Sequence, residues 1–331
     1  CIYLIYFLLK LFYQGGILKV GYKYLFGPVP SRRLGISLGV DLLPFKTCSF
    51  NCIYCECGKT TDYLIDRKEF YPIDEIFSEI SDYLKSNNTP DFLTFSGSGE
   101  PTLYLKLGEL IERCKKSFPD VKVAILTNSS LFYREDVRLD CSKADVVLPS
   151  LDSARAETFL KLDRPAEKNI LDKIINGLIE FRKAFDKEIW LEVFFAKGIN
   201  DSKEDLDALH DALIKINPDI VQLNTLDRPP ADSSTLPVSK KFLKDVALLW
   251  KDLPVEIISR YKDRSEIENY SPEFEDQIIS TLKRRPMTRN DLVEIYKKPM
   301  YEIGKYLDIL EKEKKVKNVI IGNKIFIQLQ S

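Results

Sequence analysis

Three thiols carry the chemistry most readily read from this chain. Cys48, Cys52 and Cys55 form a C-x3-C-x2-C array, Cys48-Ser-Phe-Asn-Cys52-Ile-Tyr-Cys55. Thiolates this crowded suit a soft metal or an iron–sulfur cluster. A cubane has four irons, so three protein ligands leave one iron open, as a catalytic zinc keeps one position open. A zinc knuckle or a redox cysteine pair is the competing reading. Structural zinc takes four N or S ligands, and the single histidine, His210, lies far off on a helical pattern, a surface or boundary residue. Cys57 follows Cys55 by two positions, tight for two bonds to one cluster, and reads as a bystander. Cys1, Cys114 and Cys141 read the same way, Cys114 on an apolar helix face where a thiol packs as a small hydrophobe.

Polar residues recur at the ends of apolar runs. Phe95-Ser-Gly97-Ser98-Gly99-Glu100-Pro101 closes one such run. Its glycines let a ligand or another backbone approach closely. Thr127-Asn128 closes the next, Ser150 and Asp152 follow a third, and Asn224 follows another. In a (β/α) barrel the carboxyl ends of the strands form the active face. Loop capping is the alternative for each.

These residues need a scaffold, and the pattern between 34 and 258 supplies one. Strands are expected at Ile36–Leu42, Asp91–Ser96, Val121–Thr127, Asp145–Leu148, Glu188–Phe195, Asp219–Leu223 and, more weakly, Val255–Ile258. Amphipathic helices fall between them, one with Ile76, Ile80 and Leu84 on one face and another with Leu206, Leu209, Leu213 and Ile216. Repeated strand–helix units predict an α/β fold with a parallel sheet, about six units, hence a partial (β/α)6-type barrel, with a doubly wound sheet as the alternative.

After a Pro/Ser-rich loop at 227–240 and a charged linker at 261–272, the chain changes character. Phe274–Leu282 has a helical pattern. Thr288 is an N-cap for Arg289–Tyr296, and Pro299 opens a helix to about Lys314. Two β-rich runs then flank Gly322-Asn323, a hairpin signal. Together these predict a small winged-helix domain at 273–331, after a main domain at 24–260. The stretch 271–331 holds 12 Lys+Arg against 9 Asp+Glu, a net of +3. Lys283, Arg284, Arg285, Arg289, Lys297 and Lys298 form a candidate basic patch for RNA; a peptide partner or simple packing are the alternatives.

Composition sets bounds. The 331 residues are 44% hydrophobic and 30% charged, with 49 Lys+Arg against 50 Asp+Glu. A net charge of −1 gives no global field for nucleic acid, so such a partner must use a local patch. Four of seven cysteines crowd into 48–57, which suits metal binding in a reducing, cytoplasmic setting rather than a disulfide scaffold. Residues 1–13, CIYLIYFLLKLFY, are almost wholly apolar but short for a membrane span, and no membrane role is expected. The extension 1–23 reads as a mis-called start, with the protein beginning near Leu18.

The cysteine array resembles that of the radical S-adenosylmethionine (SAM) superfamily, whose pattern places an aromatic before the last cysteine, here Tyr54. The Gly97-Ser98-Gly99-Glu100-Pro101 stretch is similar to the family's Gly-Gly-Glu-Pro element, with Ser98 as a departure. Thr127-Asn128 resembles its Thr-Asn element. The segments Phe26-Gly-Pro-Val-Pro-Ser-Arg-Arg-Leu-Gly35, Gly39-Val-Asp-Leu, Pro44-Phe-Lys-Thr-Cys48 and Leu162-Asp-Arg-Pro165 resemble one branch, uncharacterised Fe-S oxidoreductases distantly related to the molybdopterin and nitrogenase-cofactor radical enzymes. This resemblance spans about 24–258. It implies a single [4Fe-4S] cluster on Cys48, Cys52 and Cys55, and SAM held near Tyr54, Gly97, Ser98, Gly99, Glu100, Thr127, Asn128, Ser150 and Asp152. It further implies reductive cleavage of SAM to a 5′-deoxyadenosyl radical, with a flavodoxin- or ferredoxin-like one-electron donor. Arg32 and Arg33 suit either an anion at the barrel mouth or ordinary pairing. A small-molecule substrate and a non-enzymatic, redox-sensing regulator are the alternatives to a macromolecular substrate.

Overall fold

The computed structural model describes residues 22–31, 33–87, 89–258, 270–321 and 324–330. Cys1, residues 1–21 of the apolar extension, Arg32, 261–269 of the expected linker and the Gly322-Asn323 turn lie outside the described residues.

Twelve strands are described. They are β1 (Leu25–Ser31), β2 (Gly35–Val40), β3 (Thr47–Cys48), β4 (Asp62–Tyr63), β5 (Phe92–Phe95), β6 (Lys122–Thr127), β7 (Val146–Pro149), β8 (Glu188–Phe195), β9 (Ile220–Thr225), β10 (Val255–Ile257), β11 (Val316–Ile321) and β12 (Lys324–Leu329). The main sheet has the order β1-β2-β5-β6-β7-β8-β9-β10. From β2 to β10 every pairing is parallel, and β1 joins β2 antiparallel. Strand order follows chain order with no reversal. A doubly wound sheet would reverse at a switch point, so the winding is that of a (β/α) barrel. Among the described residues no pairing joins β10 to β1, and the sheet stays open. It carries seven parallel strands, one more than six units would supply. The antiparallel β1 is not among the expected strands, because its two prolines and glycine, in Leu-Phe-Gly-Pro-Val-Pro-Ser, mask a strand pattern.

Helices cover the crossovers: α1 (Ile73–Ser86), α2 (Leu107–Ser117), α3 (Glu135–Cys141), α4 (Ala156–Leu162), α5 (Leu171–Ala184), α6 (Lys203–Ile216) and α7 (Lys240–Leu249). The helical face read from the sequence is buried in α1, where Ile76, Ile80 and Leu84 pack inward. It is also buried in α6, through Leu206, Leu209, Leu213 and Ile216. Alternation along the strands sorts two cores. Leu93, Val123, Ile125, Val147 and Leu191 face the helices. Phe92, Ala124, Val146 and Leu148 face the other side, joined by Leu34 and flanked by Trp190. Apolar packing on both faces is what a parallel sheet needs.

The tail forms α8 (Pro272–Arg284), α9 (Arg289–Tyr296), α10 (Met300–Lys312) and the antiparallel pair β11–β12. Thr288 caps α9 in a capping box with Asp291, and Pro299 precedes α10. Phe274, Ile278, Leu292, Ile303, Leu307 and Ile327 belong to an apolar cluster of this segment's own. Asn290 Nδ2 donates to Asp91 Oδ1 at 3.0 Å, at the amino end of β5. Among the described residues no helix is long and apolar enough to cross a membrane.

Candidate functional site

The cysteine loop leaves β2 and folds over the carboxyl ends of β5, β6 and β7. Its fit against the β5 turn is enforced by glycine. A Cβ at Gly99 would collide with the Thr47 carbonyl, and one at Gly97 with the Asp41 carboxylate. That close approach lets Glu100 N donate to Thr47 O at 3.2 Å, tying the turn to the residue before Cys48. Asp41 Oδ2 accepts from Ser98 N at 3.1 Å and Ser98 Oγ at 3.0 Å. Burial raises the pKa of Asp41. Ser98 in turn accepts from Lys46 N at 3.3 Å.

Glu100 is buried at the centre of this rim. Its carboxylate accepts from Thr102 N (3.0 Å), Thr102 Oγ1 (2.6 Å), Thr127 Oγ1 (2.6 Å) and Asn128 N (2.7 Å). Glu100 and Thr127 are expected near SAM. Both are engaged internally, because a buried carboxylate gathers whatever donors lie in reach. They organise the rim. Asn128 projects from it, donating Nδ2 to Ser49 Oγ at 3.0 Å and approaching Cys48 Sγ at 3.5 Å. Ser150 is half-buried beside it, its backbone N donating to Thr127 O at 2.9 Å.

Tyr54 stacks on Phe194, 4.0 Å between centroids and 16° between planes. Its hydroxyl donates to Asp152, which also accepts from Phe194 N at 2.8 Å. Asp163, within the Leu162-Asp-Arg-Pro165 segment but given no role there, accepts from Tyr54 OH and Cys52 Sγ, both at 3.5 Å. Burial pushes Asp152 up to about 7, with Glu192 adding to the rise against the hydrogen bond from Tyr54. Asp163 rises as well, through burial and then the Asp152 charge. Asn224, by contrast, turns back on its own strand end, with Oδ1 accepting from Thr225 N.

The thiols differ among themselves. Burial raises Cys48 to about 12, and burial also lifts Cys52 well above the ordinary thiol range. Cys55 is lowered to about 5 by a hydrogen bond from Cys57, then by the Lys46 ammonium. Cys57, read as a bystander, therefore lies against Cys55, with its Sγ 3.9 Å from Gly97 O. Lys46 Nζ lies 3.1 Å from Cys55 Sγ. Lys46 stands in the Pro44-Phe-Lys-Thr-Cys48 segment, but the sequence assigns it no role, since a lysine is normally a surface residue.

The surroundings suit an electron-rich group with sulfur ligands. Lys46 and the Asn128 amide offer donors beside the thiols, and Thr47 Oγ1, next to Cys48 in the chain, is buried with no partner among the described residues. Donors to sulfur tune iron–sulfur clusters. Among the described residues no three His, Cys, Asp or Glu side chains converge on one point as a single ion requires. The thiolates of a cubane each take a separate corner. Elsewhere, Arg33 is paired with Glu192 in a half-buried bridge, which takes it out of an anion site. His210 pairs with Asp252 at 3.0 Å, away from the thiols. Cys114 and Cys141 are buried in the core.

The chain belongs to the radical SAM superfamily, whose profile its residues 42–211 match. Proteins of this family bind a [4Fe-4S] cluster and SAM. Within that class the chain is similar to UPF0026 proteins. It is 33% identical over 279 residues to one from Methanocaldococcus jannaschii, covering 82% of this chain and 86% of that one. It is 37% identical over 276 residues to one from Helicobacter pylori strain J99, covering 82% and 88%. A Brachyspira hyodysenteriae protein named GTPase Obg is 39% identical over 306 residues, 92% of this chain, and the chain spans 45% of that protein's length. Among solved structures, Streptococcus suis SuiB bound to S-adenosylmethionine has a TM-score of 0.51 at 15% identity, covering 66% of this chain and 49% of that one. That likeness is one of fold.

Proposed function

We propose that the chain is a radical SAM oxidoreductase in which Cys48, Cys52 and Cys55 hold the cluster and residues 24–260 form the catalytic unit. The observation that carries this is the meeting of the three-cysteine loop with the Glu100–Thr127–Asn128 rim at the carboxyl ends of parallel strands. When bound, cluster and SAM supply one-electron reductive cleavage of the SAM carbon–sulfur bond, giving methionine and a 5′-deoxyadenosyl radical. The chain's own residues bind, orient and exclude water. Asn128 and Ser150 offer polar groups at the rim. Gly97 and Gly99 let the cysteine loop and Asp41 close against the β5 turn where a side chain would hold them off. Tyr54, stacked on Phe194 and tied to Asp152, gives one flat wall. The electron comes from a flavodoxin- or ferredoxin-type donor in a reducing, cytoplasmic setting.

The substrate reading is a macromolecule, RNA or peptide, recruited by residues 273–331 acting as a winged helix. Lys283, Arg285 and Lys297 are exposed there and support it. Arg289 is lost to this patch: it is buried and paired with Glu311 at 3.5 Å. Lys298 is paired with Glu302. The contact of Asn290 with Asp91 favours a second reading, a packing tail on an enzyme of small molecules.

Anaerobic reconstitution with iron and sulfide, then reduction with SAM, tests the core claim. Cys52→Ala is expected to lose both visible cluster absorbance and 5′-deoxyadenosine; retention of both would remove the ligand assignment. A cluster without 5′-deoxyadenosine would favour a redox-sensing regulator. Charge reversal at Lys283, Arg285 and Lys297 in the full chain is expected to abolish salt-sensitive RNA binding. Absence of such binding in the unaltered chain would leave the small-molecule reading.

A further inference from the structure

Lys46 stands out among the basic residues of the molecule. It is 2% exposed, and lysine is almost never fully buried unless paired. Among the described residues no carboxylate lies within ion-pair distance of it. Its amine lies instead 3.1 Å from Cys55 Sγ.

The backbone holds this side chain in place at a local disadvantage. Lys46 has φ +59°, in the left-handed region that a residue with a Cβ rarely adopts. Several bonds fix it there. Lys46 N donates to Ser98 Oγ at 3.3 Å, itself bonded to Asp41. Lys46 O accepts from Thr61 N at 3.1 Å and Asp62 N at 3.2 Å. Strained backbone persists where surrounding structure over-determines it, and such places cluster at working sites. Here the consequence is a cation delivered to the sulfur of a ligand thiol, in a low-dielectric setting where charge acts strongly.

We propose that Lys46 sets the reduction potential of the cluster: its buried ammonium, donating to Cys55 Sγ, favours the state with one more electron. This rests on the cluster assignment made above. A cluster that gains an electron gains negative charge, and a fixed cation beside it stabilises that charge. No proton need move and no bond need break; the electron comes from an external one-electron reductant. Lys46 is therefore a positioning and tuning residue that acts through Cys55.

Potentiometric titration of the reconstituted full chain, read by the electron paramagnetic resonance of the reduced cluster, tests this. Lys46→Met is expected to bind the same iron and sulfide as the unaltered chain. At a fixed solution potential its reduced-to-oxidised ratio is expected to fall about tenfold, a shift of about 59 mV to lower potential for one electron. Lys46→Arg, which keeps the charge, is expected to restore most of the shift. An unchanged midpoint in a cluster-bearing Lys46→Met or Lys46→Gln would overturn the proposal. So would Lys46→Arg assembling cluster when neither neutral variant does, since Lys46 would then serve assembly. Failure of the unaltered chain to take up a cluster would instead overturn the ligand assignment, a separately readable outcome.

Discussion

Two buried glutamates on one sheet are wired in opposite ways. Glu100, just past β5, receives four donors from Thr102, Thr127 and Asn128. Glu256, within β10, receives one long bond from Gln222 Nε2 at 3.4 Å. Its Oε1 and the Oε1 of Gln222 are buried with no partner among the described residues. Burial raises the pKa of both, but Glu256 reaches about 7. The difference separates a region built to hold geometry from one that is not. At Glu100 a saturated carboxylate ties its own turn to the end of β6 and, through Asn128, reaches the Cys48 loop. At Glu256 the nearby charges, Lys305 of α10 and Arg33, lower the pKa without overcoming burial, and Tyr301 lies on the same side.

The sharpest way to break this comparison is Glu100→Ala. Four donors would lose their acceptor inside a dry rim, and each buried unsatisfied group costs about 1–3 kcal/mol before relaxation. A loss of about 3–5 kcal/mol in denaturant unfolding is expected, with loss of cluster retention. A loss under about 1 kcal/mol would show that the rim is not held by this carboxylate. Next comes Gly99→Ala, whose added methyl meets the Thr47 carbonyl. Overpacking of this kind costs about 1–3 kcal/mol, and the same melt should show weakened cluster binding, because the displaced Thr47 adjoins Cys48. Gly304→Ala is the matched control. Its Cβ would come no nearer than 3.9 Å to Arg289 Nη1, in mid-helix, so a gain of about 0.5–1 kcal/mol is expected.

Glu256→Gln probes the other pole. The folded-state pKa is raised from 4.5 to about 7. The folded protein therefore binds this proton more tightly than the unfolded chain, and its stability falls as pH rises from 4.5 through 7. The glutamine variant removes that dependence and can donate to Gln222 Oε1. It is expected to be more stable than the unaltered chain by about 1–3 kcal/mol at pH 8 and to match it below pH 4.5. Unfolding free energies at the two pH values check this. Equal stability at pH 8 would mean that water or Lys305 already satisfies the acid.

The same contrast explains what the sequence made legible. The parallel strands and most helices were readable because burial imposes a period on each, as Leu93, Val123 and Val147 do on the helix-facing side. The cysteine spacing was readable because its signal is local. The surroundings of Lys46, Cys57 and Asp163 were not, since each is set by contacts the fold makes rather than by spacing in the chain. Lys46 gains its meaning from burial and a positive φ. Asp163 meets Cys52 across 111 positions. Glu100 was legible as a residue, and its internal bonds were not: the donors that saturate it come from the end of β6 and from the turn before α2.

The smallest expected effect concerns the amino end of β5. Asp91 accepts there from Ile36 N at 2.7 Å through Oδ2, a bond internal to the sheet. Its Oδ1 accepts from Asn290 Nδ2 at 3.0 Å, across to the tail. The second bond is exposed, so water replaces it readily. Asn290→Ala should therefore cost about 0.5 kcal/mol or less and leave the cluster's absorbance unchanged. Asp91→Ala should cost more, because it strips the buried β2 amide as well. If Asn290→Ala proved the more damaging, the tail would be a structural brace of the sheet, and the loose wiring around Glu256 would need the tail's support. If the order holds, the tail is held lightly at this contact, and Asp91 matters mainly through its bond to β2.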